Sequence, residues 1–179
     1  GLGNTLRVVV ETTQGDIFDA AYLETLSKVN DELFLTPGVD RAWVKSIWMP
    51  VVRYTEVTEE GFAGGPVMPD TYDGSKKSLE QLRQNITKAG LVGSLVANDY
   101  KSAMIVVPLL DVDPASGNPI DYWALSHAIE KNVRDKFETA DGKYKVRVIG
   151  FAKIVGSLLD GILQVMVYFV AAILIAAAI

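Results

Sequence analysis

Apolar residues are distributed unevenly along the chain, and the longest run stands at its C-terminal end. Residues 161–179 read GILQVMVYFVAAILIAAAI, without a charged residue and with a single amide, Gln164. At about 1.5 Å per residue a helix of this length is roughly 28 Å long, close to the bilayer hydrocarbon thickness of about 30 Å. A buried helix normally keeps a polar stripe, which this segment lacks. The pattern therefore predicts a transmembrane helix over residues 161–179.

The two ends of the sequence raise an expectation of their own. The chain starts with Gly1 and stops at Ile179, with no charged residue or further aromatic residue after the apolar run. Membrane helices usually carry such residues where they leave the bilayer. We therefore expect this sequence to be an internal piece of a longer protein.

The apolar pattern upstream predicts two strand–helix–strand units. In the first, residues 6–12 (LRVVVET) are rich in β-branched side chains, which favour a strand. Tyr22 starts a set of apolar residues at helical spacing that continues to Leu33, and Pro37 ends the helix. Residues 42–48 are predicted as the second strand.

The second unit has the same order. Residues 102–110 are predicted as a buried strand, and an amphipathic helix follows from Tyr122 to Phe137. Over residues 143–151 apolar and basic residues alternate, which is the pattern of a strand with one wet face. Two such units predict an α+β fold, a ferredoxin-like split βαβ sandwich with one antiparallel sheet and two helices.

A long insertion, about residues 50–100, separates the two units. Its least ordinary part is GFAGGPVMP at residues 61–69, where glycines permit close backbone approach and prolines stiffen the chain. One interpretation is a long surface loop over residues 60–74. The other is a segment that packs against another part of a larger assembly, since loops of this length are often functional. The second interpretation predicts substrate-path or interdomain contacts by Trp43, Trp48, Phe62, Gly64, Gly65, Pro66, Val67 and Met68.

The segment that leads into the apolar run contains no proline and has apolar residues at helical spacing. It predicts one continuous helix from about Lys153, which would join the soluble domain rigidly to the membrane. Gly156 and Gly161 are the weak points of that helix, and Asp160 is expected to be a helix-end charge at the membrane edge. The predicted organisation is a soluble domain over residues 1–152, a helical connector over 153–160 and a transmembrane helix over 161–179.

Composition narrows the function classes. Lys and Arg number 17 against 22 Asp and Glu, so the net charge is −5 and no concentrated basic patch points to nucleic acid as a partner. The absence of cysteine suits an extracytoplasmic location. With His127 as the one histidine and no cysteine in the chain, zinc binding and nucleophile–histidine catalysis have almost no support from the sequence. No catalytic residue, metal site or cofactor is predicted, and we do not expect an enzyme.

Several segments, in this order, resemble the RND superfamily of exporters, and most closely its MMPL-type, hydrophobe-exporter branch. They are VVVET at residues 8–12, the stretch GDIFDAAYLETLSKVNDELFLTPGVDR at 15–41, GFAGGPVMP at 61–69, and the strand and helix before the apolar run. The resemblance implies that residues 6–151 form the first extracytoplasmic porter-like domain. It also implies that residues 161–179 are the second transmembrane helix.

The resemblance further implies a function. In such exporters the domain lies on the periplasmic side of the bacterial inner membrane and guides a hydrophobic or amphiphilic, lipid-like substrate, while proton flow through later membrane helices supplies the energy. The implied role is a substrate-path and coupling domain. Its implied partners are the lipid bilayer, the remaining transmembrane helices, a second porter-like domain, the substrate and further copies in a homo-oligomer.

Two other classes of protein fit the same sequence. One is a single-pass, membrane-anchored extracytoplasmic binding or sensor module. The other is a membrane-tethered hydrolase, which would require Asp70 or Asp73 to face a second carboxylate in a pocket and to have a raised pKa. An open hydrophobic cleft lined by Phe62, Trp43 or Trp48 would favour transport instead.

Overall fold

The structure, a computed structural model, describes the backbone of residues 4–178 and the side chains in that range except those of residues 151–154, 156 and 157. The outermost ends of the predicted soluble domain and membrane helix lie outside the described residues. The strands are β1 (Thr5–Thr12), β2 (Arg53–Thr58), β3 (Gly61–Pro66), β4 (Ser102–Pro108) and β5 (Tyr144–Ile149). The helices are α1 (Ala20–Leu35), α2 (Lys76–Lys88), α3 (Tyr122–Ile129), α4 (Asp135–Phe137) and α5 (Phe151–Ala177), with a 3₁₀ turn at Arg41–Trp43 and a π-helical turn at Glu130–Arg134.

Strands β4, β1 and β5 form an antiparallel sheet in that order, with β1 in the centre. Val8 of β1 lies opposite Ile105 of β4 and Val148 of β5. Because alternate residues of a strand point to opposite faces, Leu6, Val8 and Val10 all enter the core from one face of the sheet. The α+β class and the antiparallel sheet that the sequence predicts are confirmed.

The strand predicted over residues 42–48 is wrong. The segment begins with the 3₁₀ turn Arg41–Trp43 and then touches the sheet through one residue, Lys45, which exchanges backbone hydrogen bonds of 3.0 and 2.8 Å with Val106 of β4. A further turn starts at Ser46, whose carbonyl accepts a hydrogen bond from an amide three residues on. Turns on both sides leave a single residue to pair with β4, so the segment is a bridge rather than a strand.

The insertion contains a β-hairpin that the sequence does not predict. Residues 61–66, expected in a loop, form β3 and pair with β2, with Phe62 opposite Val57. A Cβ atom at Gly64 would lie 2.5 Å from the Tyr54 carbonyl oxygen, so this strand needs glycine at that point. Glycine and proline are depleted in strands, which is why the composition of this segment predicts a loop.

The hydroxyl of Tyr22 on α1 links two strands of the sheet. It donates a 2.6 Å hydrogen bond to the Val10 carbonyl of β1 and accepts a 3.0 Å hydrogen bond from the Ala103 amide of β4. Burial raises the pKa of Tyr22, so the hydroxyl keeps its proton and remains a donor at physiological pH. Tyr144 of β5 packs edge-on against it with ring centroids 6.0 Å apart, but the buried Tyr144 hydroxyl has no hydrogen-bond partner among the described residues.

These two tyrosines give a matched test of what stabilises the domain. Tyr22→Phe removes the hydrogen bonds that the hydroxyl makes to two buried backbone groups, and we expect it to lower the free energy of unfolding by about 2 kcal/mol. Tyr144→Phe removes a hydroxyl without a partner, and we expect a change within about 0.5 kcal/mol. Urea unfolding of the chain in a non-ionic detergent, followed by tryptophan fluorescence, measures both. Equal losses in the two variants would contradict the assignment.

Candidate functional site

The most unusual surface of the molecule is the helix α5. It runs from Phe151 to Ala177, and the 20 residues Leu158–Ala177 are long and apolar enough to cross a membrane. None of that stretch is buried, and large side chains such as those of Tyr168 and Phe169 are about two-thirds exposed. A helix that is apolar on every face and uncovered by its own domain requires another apolar environment.

The N-terminal part of α5 starts directly at the edge of the sheet. Gly150 makes the turn between β5 and α5 with a φ of 146°, which L side chains rarely adopt. A Cβ atom at Gly150 would lie 2.6 Å from the Thr5 carbonyl oxygen and 2.8 Å from the Leu6 side chain. This glycine therefore allows the helix to begin in close contact with β1, without an intervening linker.

Three side chains, which we call the junction cluster, then fasten α5 to α3: Trp123, His127 and Asp160. The indole Nε1 of Trp123 donates a 2.8 Å hydrogen bond to Asp160 Oδ1, and His127 Nε2 lies 3.4 Å from the same oxygen. Trp123 and His127 are one helical turn apart, and their rings stack with centroids 4.2 Å apart and planes 29° apart. One carboxylate of α5 thus holds two stacked rings of α3.

The helix that carries these rings is fixed at its start. Asp121 is the N-cap of α3, and its side chain accepts a 3.0 Å hydrogen bond from the Ala124 amide. On the far side of α3, Leu125 and Ile129 are buried in the core. Core, cap and junction cluster therefore contact α3 from different sides, and the junction cluster connects it to α5.

A cavity of about 410 Å³ lies beside α3, on the flank next to the junction cluster. Its walls come from the end of α1, the loop before α3 and α3 itself. The lining residues are Thr36, Pro37, Gly38, Asp113, Ser116, Pro119, Ile120, Asp121, Ala124, Leu125 and Ala128.

The residues predicted as substrate-path or interdomain contacts are distributed over different environments. Val67 and Met68 are buried in the core, and Trp48 is half-buried, donating a 3.0 Å hydrogen bond from Nε1 to the Leu23 carbonyl. Trp43 is 62% exposed and Phe62, near the tip of the β2–β3 hairpin, is 89% exposed. Gly64, Gly65 and Pro66 are part of β3. None of these eight residues lines the cavity beside α3.

The predicted connector residues all belong to α5. Lys153 and Gly156 are in its first turns, and the Lys153 side chain lies outside the described residues. Gly161 has nothing within 4 Å of an added Cβ atom, and the helix continues through it without a break. Asp160 is about half exposed and lies inside α5, so it is not at a helix end, and its position at the membrane edge stays a prediction.

Sequence reasoning treats His127 as a surface residue, and its side chain is indeed 45% exposed. What it misses is the pairing of Trp123 and His127 with Asp160, because residues 37 positions apart carry no shared pattern. Two features of the sequence could have indicated this contact. Trp123 and His127 are spaced one helical turn apart, and Asp160 is a lone carboxylate at the start of the apolar run.

The acidic residues in the described part of the chain do not form a group of three or more, with or without histidine, that could hold a metal ion. Hydrogen bonds from Ser75 lower the pKa of Asp73, which receives the Ser75 amide at 2.9 Å just before α2. A general acid would need a raised pKa, so Asp73 does not have the property that a hydrolase would require.

Comparison with known proteins does not assign a family or a function to this chain. The sequence matches no protein-family model and has no significant match among curated proteins.

The junction cluster predicts a measurable coupling between α3 and α5. In a double-mutant cycle of Trp123→Phe and Asp160→Asn we expect a coupling energy of about 0.5–1 kcal/mol, limited by the partial exposure of the pair. We also expect faster hydrogen exchange of the α3 amides in either variant. The cycle is measured by unfolding in detergent, with Trp43→Phe, an exposed tryptophan outside the cluster, in place of Trp123→Phe as the control. Additive effects of the two substitutions would contradict the contact.

Proposed function

We propose that this chain is a substrate-path and coupling domain of an RND-type exporter, with α5 crossing the bacterial inner membrane and the α+β domain on its periplasmic side. The exporter would use the proton-motive force to move hydrophobic or amphiphilic, lipid-like molecules. The observation that carries the proposal is the direct attachment of an uncovered apolar helix to a folded domain, through Gly150 and the junction cluster. A rigid joint transmits a movement of the helix to the domain, which a coupling domain requires.

The topology supports a ferredoxin-like arrangement for this domain. The bridge at Lys45 lies beside β4 on the side opposite β1, so the order across the sheet is the Lys45 segment, β4, β1 and β5. Interleaving of the first and second strand–helix–strand units in this way is the pattern of a split βαβ sandwich. In the proposal, the Lys45 segment is a shortened edge strand of that sandwich.

Exposed apolar groups supply the surfaces for the proposed partners. Val57 and Phe62 form a cross-strand pair that is 80% and 89% exposed, and Trp43 is exposed as well. These groups suit contacts with a second porter-like domain or with another copy of the chain. The alanine-rich end of α5 suits close packing against further transmembrane helices, where small residues let backbones approach.

A second candidate function is a single-pass, membrane-anchored binding or sensor module. The cavity beside α3 favours it, because a cavity of about 410 Å³ falls in the range of small-molecule sites and needs no transport to be useful. Both candidates require the domain and the end of α5 to lie on opposite sides of the membrane. They differ in whether the whole protein moves a substrate.

Membrane topology can be tested directly because the chain has no cysteine. We introduce Glu59→Cys in the β2–β3 hairpin or Ala178→Cys at the end of α5 and label bacterial cells, with a permeabilised outer membrane, using a membrane-impermeant maleimide. We expect Glu59→Cys to react in intact cells and Ala178→Cys only after lysis. Equal reactivity of both positions before lysis would contradict a membrane-spanning α5, and reaction of Glu59→Cys only after lysis would contradict the periplasmic side.

Transport is tested on the whole exporter that the proposal implies. Uncoupling the joint by Trp123→Ala or Asp160→Ala should reduce proton-motive-force-dependent efflux of a lipophilic dye roughly 5-fold or more, since couplings between sites span 1–3 kcal/mol. Lys101→Ala, an exposed residue at the opposite end of the sheet, is the control and should leave efflux unchanged. Membrane levels of each variant are matched by immunoblot. Efflux that is absent from the unaltered protein would favour the binding or sensor module.

A further inference from the structure

The cavity beside α3 has a mainly apolar interior. Ile120, Leu125, Ala124 and Ala128 line it together with the Pro37–Gly38 corner at the end of α1. Gly38 has a φ of 93°, and a Cβ atom there would lie 2.9 Å from the Leu125 side chain and 3.3 Å from that of Ile120. On this side the wall of the cavity is therefore backbone packed tightly on aliphatic side chains, which suits an apolar ligand body.

Two carboxylates stand at the cavity, and among the described residues that line it none is basic. Asp113 accepts hydrogen bonds from the Ala115 amide at 2.9 Å and the Ser116 hydroxyl at 2.8 Å, and these lower its pKa. Asp121 accepts from the Ala124 amide as the cap of α3. Both carboxylates are held in place, and the negative charge at Asp113 is present throughout the neutral pH range.

One cationic side chain, Arg41, lines a recess next to the cavity and is engaged by other groups. An adjoining recess shares Asp113 and the end of α1 with the cavity and adds Asp40 and Arg41. The Arg41 guanidinium donates a 2.8 Å hydrogen bond from Nε to the Phe34 carbonyl and lies 5.7 Å from the centre of the Phe34 ring. The charged side chains that line the cavity itself are both carboxylates.

The cavity also lies close to the proposed membrane surface. Ala124 and Ala128 of its wall each follow a residue of the junction cluster, Trp123 and His127, and Asp160 of that cluster is in the first turn of the apolar stretch Leu158–Ala177. The helix α3 therefore contributes to the cavity wall and contacts α5 through neighbouring residues. This position at the lipid headgroup level rests on the proposed function, in which α5 crosses the membrane.

We infer that the cavity binds an amphiphile with a cationic head group, taken from the adjoining leaflet of the membrane. Its apolar body lies against Ile120, Ala124 and Leu125, and its head group lies between Asp113 and Asp121. Apolar lining and paired carboxylates are the two features that such a ligand requires, and charge complementarity selects it over an anionic amphiphile of the same length.

The test uses the chain in nanodiscs of zwitterionic phosphatidylcholine and follows the methyl NMR signals of Ile120 and Leu125, with Ile86 of α2 as an internal reference. Decyltrimethylammonium is the probe, and decanoate and decanol are the anionic and neutral comparisons. We expect saturable shifts at Ile120 and Leu125 with decyltrimethylammonium, a constant Ile86 signal, and binding of the two comparisons that is roughly 10-fold weaker or absent. Equal binding of all three amphiphiles, or no saturable shift with the cation, would overturn the inference.

Variants separate the head-group contact from the apolar contact. Asp113→Asn with Asp121→Asn removes both charges but keeps side chains that can form the turn and the cap, and should weaken cation binding roughly 3- to 10-fold. Asp99→Asn is the matched control, because Asp99 accepts the Lys101 amide in the same kind of turn but does not line the cavity. Ala124→Phe should fill the cavity and abolish the shifts at Ile120. Unaltered binding in the double Asn variant or in Ala124→Phe would overturn the site.

Failure of this inference and failure of the proposed function give different results. If α5 does not span the membrane, the cysteine-labelling pattern fails whatever the cavity binds. If α5 spans the membrane but the methyl signals do not respond to the cation, the binding site is refuted and the coupling domain is unaffected. A cation that shifts Ile120 and Leu125 equally in nanodiscs and in lipid-free detergent solution would retain the cavity but contradict uptake from the leaflet.

Discussion

The uncovered apolar surface of α5 is the constraint on which the placement of every other part of the molecule depends. Leaving one large apolar side chain in water costs about 1.5–3 kcal/mol relative to burying it, and such side chains cover all faces of Leu158–Ala177. The α+β domain does not cover them, because α5 leaves the sheet after its first turns. A bilayer, or other apolar helices within one, would satisfy this surface, since α5 is long and apolar enough to cross a membrane. The domain must then lie where α5 leaves that environment.

Two contacts between α5 and the domain bear on how the domain is oriented relative to the helix. Gly150 allows α5 to start against β1 where any side chain would meet the Thr5 carbonyl. Ten residues further on, Asp160 binds Trp123 and His127, whose helix α3 is fixed by its own cap and by the core. Two separated contacts fix a direction, whereas a single contact would leave a hinge. A fixed orientation of the domain relative to the axis of α5 stays a prediction that these two contacts support.

The parts of this structure that could be predicted from sequence are those set by local periodicity. Alternation and helical spacing are sufficient for β1, α1, β4, β5 and the apolar helix, because each buries one face or stripe against the same core. The segment at 42–48 has strand-like residues, but turns on both sides reduce it to one bridge at Lys45. The segment at 61–66 has loop-like composition. It nevertheless pairs with β2, because Gly64 has no side chain to clash with the Tyr54 carbonyl oxygen. In the first case flanking turns limit the pairing to one residue, and in the second backbone pairing with β2 overrides the loop-like composition.

The candidate site could not be predicted in the same way, because its residues meet only when α3 and α5 pack together. Once they do, α3 has two functions on adjacent flanks. Trp123 and His127 contact α5 on one flank, and the next residue after each, Ala124 and Ala128, forms the wall of the cavity. Since α3 is a short rigid helix, a displacement of Asp160 that carries Trp123 with it also moves that wall. The contact that ties α3 to α5 therefore lies one residue away from the wall of this carboxylate-rimmed apolar cavity.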